Sequence, residues 1–164
     1  YLLEAWSKLK LRNAELVMLG NVQDDVRTIV ERFTAADPTI RLMGFVKDYV
    51  RFYHDSSVFV LPSLSEGSAK VTYEAMACGL PVIVTPNAGS VARDGEDGFL
   101  IPPRDSDALQ EKLLKLYEDR GTRETMGRNA RKRIEMFTWD AHRERLLELY
   151  GKGYRSEPAP DRPL

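Results

Sequence analysis

The 164-residue sequence has a single cysteine, Cys78, two histidines, and almost no net charge. One cysteine excludes an intrachain disulfide, and this agrees with a reducing compartment without establishing one. His54 and His142 lie far apart, and no CxxC or HExxH spacing marks a metal site. Twenty-four basic residues against 25 acidic ones leave a formal charge of -1. That balance excludes a bulk polyelectrolyte grip on nucleic acid, which draws on clustered positive charge. No apolar run approaches the roughly 20 residues that cross a bilayer, and the N-terminus lacks the basic-then-apolar order of a signal peptide.

What is present fits one globular domain: 43% hydrophobic and 30% charged residues, on a chain able to bury about 70% of its extended area. Tyr1-Leu2-Leu3-Glu4-Ala5-Trp6 opens within an apolar helical pattern and without methionine. The expectation is a piece of a longer protein, with residues 1–150 as the domain and 151–164 as a Gly/Pro-containing tail.

Short apolar runs alternate with amphipathic stretches. Strands are expected at Leu16–Leu19, Ile40–Met43, Val58–Leu61, Val82–Val84 and Gly98–Ile101. Helices are expected over Leu2–Leu11, Asp24–Ala36, Asp48–Asp55, Ala69–Cys78, Ser106–Glu118, Thr122–Glu135 and Trp139–Tyr150. This alternation predicts an α/β fold, Rossmann-like, with a mostly parallel sheet flanked by helices.

Such a sheet presents ligands beyond the carboxyl ends of its strands. After Val60-Leu61 comes Pro62-Ser63-Leu64-Ser65-Glu66-Gly67-Ser68-Ala69-Lys70, leading into a helix. Small residues at Gly67, Ser68 and Ala69 let a ligand approach the backbone, and unpaired first-turn N–H groups can hold a diphosphate. The same residues serve ordinary capping, and their pattern alone leaves both readings open. Glu66 before the helix and Glu74 within it could accept bonds from sugar and ribose hydroxyls, or act as surface and capping groups. Asn87-Ala88-Gly89-Ser90 forms a second open turn at the same edge. Lys70 could add positive charge there or point to solvent.

These motifs, in this order, resemble the C-terminal, nucleotide-sugar-binding domain of the retaining family 4 (group 1) glycosyltransferases, one half of a GT-B fold. The resemblance rests on Val58 to Ser63, Glu66-Gly67, Tyr73 to Ile83, Gly89-Ser90-Val91, Asp94-Gly95, Asp97 to Leu100 and Pro102-Pro103. Glu66 and Glu74 match the family's Glu-x7-Glu signature. The resemblance implies that Glu66 is the catalytic-centre carboxylate contacting the donor sugar, and that Glu74 binds the ribose. It implies that amides of Gly67, Ser68, Ala69 and Lys70 hold the diphosphate, that Asn87, Ala88, Gly89 and Ser90 line the donor side, and that Val46 and Lys47 surround the base.

Further implications are a nucleoside-diphosphate sugar as donor substrate, no cofactor, no essential metal, and no nucleic-acid partner. A glycan or lipid-linked acceptor, and an N-terminal acceptor-binding domain in cis, belong to the same expectation. So do a cytoplasmic location, with peripheral association of the whole enzyme at the membrane face, and inactivity of the fragment alone. Ser68-Ala69 stands where many relatives have Phe-Gly, Lys70 where an apolar residue is common, and Ser90 where an acidic one is frequent. A nucleotide-sugar 2-epimerase, a phosphorylase of related architecture and a non-catalytic nucleotide-binding module are the alternatives.

Overall fold

The computed structural model describes residues 1–153. Its elements run α1 (Leu2–Leu9), β1 (Leu16–Met18), α2 (Asp24–Ala36), β2 (Ile40–Leu42), α3 (Val50–Asp55), β3 (Phe59–Leu61), α4 (Lys70–Ala77), β4 (Val82–Val84), β5 (Gly98–Leu100), α5 (Ser106–Glu118), α6 (Arg120–Ile134) and α7 (Trp139–Gly153). A single 3-10 turn, Pro86–Ala88, follows β4. The sequence pattern anticipated this segment only as an open turn. The helix α7 extends past Tyr150 to Gly153; the rest of the expected tail, 154–164, lies outside the described residues.

Among the described residues, the pairings between these strands are parallel, and an isolated Gly20–Gly44 bridge is antiparallel. β1 pairs with β2, and β3, β4 and β5 form a second sheet with β4 in the centre. The fold is thus the expected Rossmann-like α/β arrangement, divided between two sheets among the described residues.

Alternation along β4 sorts the layers. Val82 and Val84 face a cluster with Tyr53 of α3, Ala75 and Met76 of α4, and Ala130 and Ile134 of α6. Ile83 points the other way, into a cluster with Ala5 of α1 and Leu109, Leu113 and Leu116 of α5. All three β4 side chains are fully buried, so the strand reads as a continuous apolar run, as a parallel strand covered on both faces does. Gly98 opens β5 at φ +153°, and a Cβ there would collide with the Val82 backbone.

The helix α1 serves both sheets. Ala5 packs with β4, while Trp6 packs with Leu16 of β1 and Ile40 of β2 and donates its indole N–H to Thr39 Oγ1 at 2.9 Å. Caps fix the later helices. Asp105 accepts from Ala108 N at 2.8 Å, Asp119 from Thr122 N at 2.8 Å, and Thr138 from Ala141 N at 3.2 Å. Asp119 starts α6 at Arg120, two residues before the position expected from periodicity.

Candidate functional site

Two loops leave the carboxyl ends of neighbouring strands β3 and β4, and they are sewn together. Thr85 Oγ1 donates to the Ser63 carbonyl at 2.6 Å and Asn87 Nδ2 to the Leu64 carbonyl at 2.7 Å. In return the Glu66 amide donates to the Asn87 carbonyl at 2.9 Å, and the Ala69 amide to the Ala88 carbonyl at 3.1 Å. Gly89 closes the seam. Its φ is +62°, and a Cβ would strike the Gly67 carbonyl, so only glycine meets both the backbone conformation and the close approach.

This sewing leaves a defined set of open donors. The Ala69 amide is taken by Ala88, while Thr72 N and Thr72 Oγ1 both bond the Ala69 carbonyl, at 2.9 and 2.8 Å. Among the described residues, the amides of Gly67, Ser68, Lys70 and Val71 have no protein acceptor. Glu66, Gly67, Ser68 and Lys70 are exposed, so the mouth of α4 opens to solvent rather than into the core. These amides sit where the positive end of the helix adds to their pull on an anion. The Val71 amide was not anticipated from sequence; the shift follows from the helix beginning at Lys70.

The other expected site residues fall into distinct settings. Ala88 is fully buried and contributes its carbonyl to the seam, not a side chain to the surface. Asn87 is exposed with its amide nitrogen engaged at Leu64. Ser90 is half-buried, and its hydroxyl accepts from Ala92 N at 3.2 Å. The Glu66 carboxylate has no hydrogen-bond or ion-pair partner among the described residues.

Glu74 differs from Glu66. It is half-buried one residue before the fully buried Ala75 and Met76. Its Oε2 accepts from the Tyr53 phenol at 3.0 Å, and its Oε1 lies 3.4 Å from the Tyr49 hydroxyl. Burial first, and then Glu74, push the Tyr53 phenol well above its ordinary value, so it stays a neutral donor.

Val46 and Lys47 lie just before Tyr49, in the loop after β2. An N–H···O bond of 2.7 Å from Gly20 to Gly44 ties this loop to the one after β1. Val46 is half-buried and Lys47 exposed, and Phe45 beside them is 79% exposed. The Tyr49 hydroxyl therefore links the segment expected around the base to the carboxylate expected at the ribose. A shallow recess of about 330 Å³ runs beside Glu74 between α4 and α6, walled by Tyr73, Ala77, Arg131, Ile134, Glu135 and Phe137. It does not include Glu66 or the open amides.

No group of three or more His, Cys, Asp or Glu side chains comes together among the described residues. None of their helices is long and apolar enough to cross a membrane.

An α/β domain with an anion-ready helix mouth and two glutamates on either side of it, separated by seven residues, has a defined place among known proteins. Residues 1–119 match the model of the family described as "Glycosyl transferases group 1", and the chain belongs to that family. The capsular polysaccharide biosynthesis glycosyltransferase CapM of Staphylococcus aureus is 37% identical over 128 residues, covering 75% of this chain and 33% of CapM. A D-inositol 3-phosphate glycosyltransferase of Paenarthrobacter aurescens is 36% identical over 144 residues, covering 83% of this chain and 35% of that protein. The chain thus spans about a third of the length of these relatives. Anabaena HepE, solved in complex with UDP, superposes with a TM-score of 0.79 at 20% identity, covering 92% of this chain and 44% of HepE. That likeness establishes the shared fold, Rossmann-like and of the kind found in GT-B glycosyltransferases.

Proposed function

We propose that this chain is the donor-binding part of a retaining glycosyltransferase that moves a sugar from a nucleoside-diphosphate sugar to a glycan or lipid-linked acceptor. The observation that carries the reading is the row of open amides at Gly67, Ser68, Lys70 and Val71, flanked by an unpartnered Glu66 and a held Glu74. HepE, of the same fold, was solved with UDP, which supports a nucleotide as a ligand of this fold.

In this reading the amides and the helix end receive the diphosphate. As the sugar–phosphate bond breaks, charge gathers on the departing oxygen, and dipoles already aimed at it stabilise the transition state more than the bound donor. The seam between the two loops supplies that preorganisation, because Glu66 and Ala69 are both anchored through their own N–H groups. Glu66 contacts hydroxyls of the transferring sugar. Glu74 accepts from the ribose hydroxyls, and Val46 and Lys47 border the base. Gly89 and Ser90 complete the donor side, with Asn87 and Ala88 acting through the seam. No metal is required, since the amides meet the leaving-group charge.

An N-terminal domain in cis supplies the acceptor site and further cations for the phosphates. The 164-residue chain alone then binds nucleotide without efficient turnover. The whole enzyme is placed in the cytoplasm, at the membrane face when its acceptor is lipid-linked.

The test has two arms. The full-length protein is incubated with a panel of nucleotide sugars, with and without EDTA, and its products are read by mass and by anomeric configuration. Calorimetry with UDP, GDP and ADP is repeated after Glu74→Ala. Nucleotide binding unaffected by that change rejects the ribose contact. Failure of every donor to yield a retained glycoside rejects the transferase reading.

A further inference from the structure

Glu74 occupies an unusual position for a ligand-binding carboxylate. It sits midway along an eight-residue helix, next to the fully buried Ala75 and Met76. A glutamate side chain has several rotatable bonds, and one free to sample its rotamers would have to be ordered by each ligand that binds. Here the ordering is already done from α3.

Tyr53 is 8% exposed and belongs to the same apolar cluster as Ala75, Met76, Val82 and Val84. Its ring packs edge-on against Phe59 of β3, centroids 6.0 Å apart, and against Tyr49 at 6.1 Å. The ring therefore has little freedom, and its hydroxyl is a fixed point. Two acceptors lie within reach, Glu74 Oε2 at 3.0 Å and the Val71 carbonyl at 3.5 Å. The single phenolic proton goes to the nearer, charged oxygen. Tyr49, at the exposed end of the pair, reaches Oε1 at 3.4 Å.

The stoichiometry of these bonds matters. A carboxylate offers about four acceptor positions, two on each oxygen. One tyrosine stands on each oxygen of Glu74, which leaves a free position on each. A vicinal diol brings two O–H donors side by side. Two oxygens held at fixed positions, each with one vacancy, match it.

We propose that Tyr53, seconded by Tyr49, is a positioning residue that presents Glu74 to the 2′- and 3′-hydroxyls of the nucleotide ribose, and so sets the preference for ribo- over dideoxy-nucleotides. The proposal rests on Glu74 being the ribose contact. It adds that the contact depends on two phenols 21 and 25 residues away in sequence, one within α3 and one at its N-cap. Tyr53→Phe keeps the ring in its cluster and removes only the proton donor, so the hydrophobic contacts survive.

The experiment is calorimetry on the full-length protein with UDP, GDP and ADP, then with the 2′,3′-dideoxy counterpart of the tightest binder. The unsubstituted protein should favour the ribo form. Tyr53→Phe should weaken the ribo form about five- to tenfold, the scale of one ordinary hydrogen bond lost, and leave the dideoxy form within about twofold. Tyr49→Phe, at an exposed position that can be altered without disturbing the core, should narrow the same ratio by a smaller factor. In Glu74→Gln, adding Tyr53→Phe should cost less than it does alone, as expected for coupled neighbours.

A merely structural tyrosine would weaken both nucleotides equally. That result, or an unchanged ratio in both tyrosine variants, overturns the positioning role while leaving the ribose contact standing. If Tyr53→Phe does not fold, the ratio in Tyr49→Phe decides in the same way. Equal affinity for ribo and dideoxy forms in the unsubstituted protein, or binding of none of the three nucleotides, overturns the ribose reading of Glu74 and this inference with it.

Discussion

Asn87 Nδ2 donates to the Leu64 carbonyl 2.7 Å away, while the Asn87 carbonyl accepts the Glu66 amide at 2.9 Å. One residue of the β4 loop thus grips the β3 loop at two points on either side of Ser65. Asn87→Ala should leave the Leu64 carbonyl without this donor, with a stability loss of about 1 kcal/mol. The larger effect should fall on nucleotide affinity, because the amides around Gly67 lose their fixed alignment. Thermal unfolding and nucleotide titration, run in parallel, should show binding reduced about tenfold, more than the loss of stability accounts for.

Gly89 and Gly67 face each other across the seam, and they should respond differently to alanine. Gly89→Ala places a Cβ against the Gly67 carbonyl at a φ of +62°, and should cost roughly 2–3 kcal/mol. Gly67→Ala meets nothing within 4 Å. It should keep its melting temperature but bind diphosphates more weakly, since the new methyl group stands at the open amides. Urea unfolding of the two variants, with UDP titration of Gly67→Ala, checks both outcomes.

Asp97 is fully buried and accepts from Arg93 three times, through N, Nε and Nη2, at 2.7 to 3.0 Å. Burial by itself would raise its pKa. The Arg93 side-chain and backbone bonds, with the guanidinium charge, more than offset this and hold the carboxyl below its ordinary 3.8. Because the folded value is depressed, the stabilisation is complete above about pH 4 and lost as pH falls through the folded value. Asp97→Asn should therefore cost about 2 kcal/mol near neutrality, the partly exposed Arg93 keeping the figure at this level. The gap from the unsubstituted protein should narrow as pH falls below about 4, as denaturant unfolding over a descending pH series would show.

Cys78 is half-buried just past the end of α4, and burial, partly countered by Arg131, lifts its thiol above the ordinary value. Less thiolate is present at any given pH, so alkylation should be slower than for free cysteine. Iodoacetamide labelling of the native protein at pH 8, against the unfolded chain, measures the ratio. Native labelling as fast as that of the unfolded chain would show the thiol to be unprotected.

Much of this was legible in the sequence, and the parts that were not share a cause. The apolar run Val82-Ile83-Val84 reads as a buried parallel strand because both its faces are covered. The small residues after Leu61 mark an accessible stretch of backbone, and Gly67 and Ser68 are exposed there. What sequence could not display is pairing between distant side chains. The Asn87 to Leu64 bond joins residues 23 apart, and the Tyr53 to Glu74 bond residues 21 apart. In sequence Tyr49, Phe52 and Tyr53 form one aromatic group available for packing. Only in three dimensions do two of them turn hydroxyls toward the same carboxylate while Phe52 has none to offer. The 3-10 turn at Pro86–Ala88 was hidden in the same way, since its role comes from the loop it meets.

The helix α1 bridges the two sheets. No strand pairing joins β1–β2 to β3–β4–β5 among the described residues, whereas the consecutive residues Ala5 and Trp6, on different faces of α1, reach into separate cores. The half bearing Phe45 to Lys47 and the half bearing Glu66 and Glu74 are therefore coupled through α1, supplemented by the Tyr49 contact with Glu74 and by the bond from the Tyr117 hydroxyl to the Arg12 carbonyl. Hydrogen exchange should resolve two cooperative blocks, with the β1–β2 block opening at lower free energy. Damage at Trp6 would then be felt as a loss of alignment between the Phe45–Lys47 segment and Glu74, far from the substituted side chain.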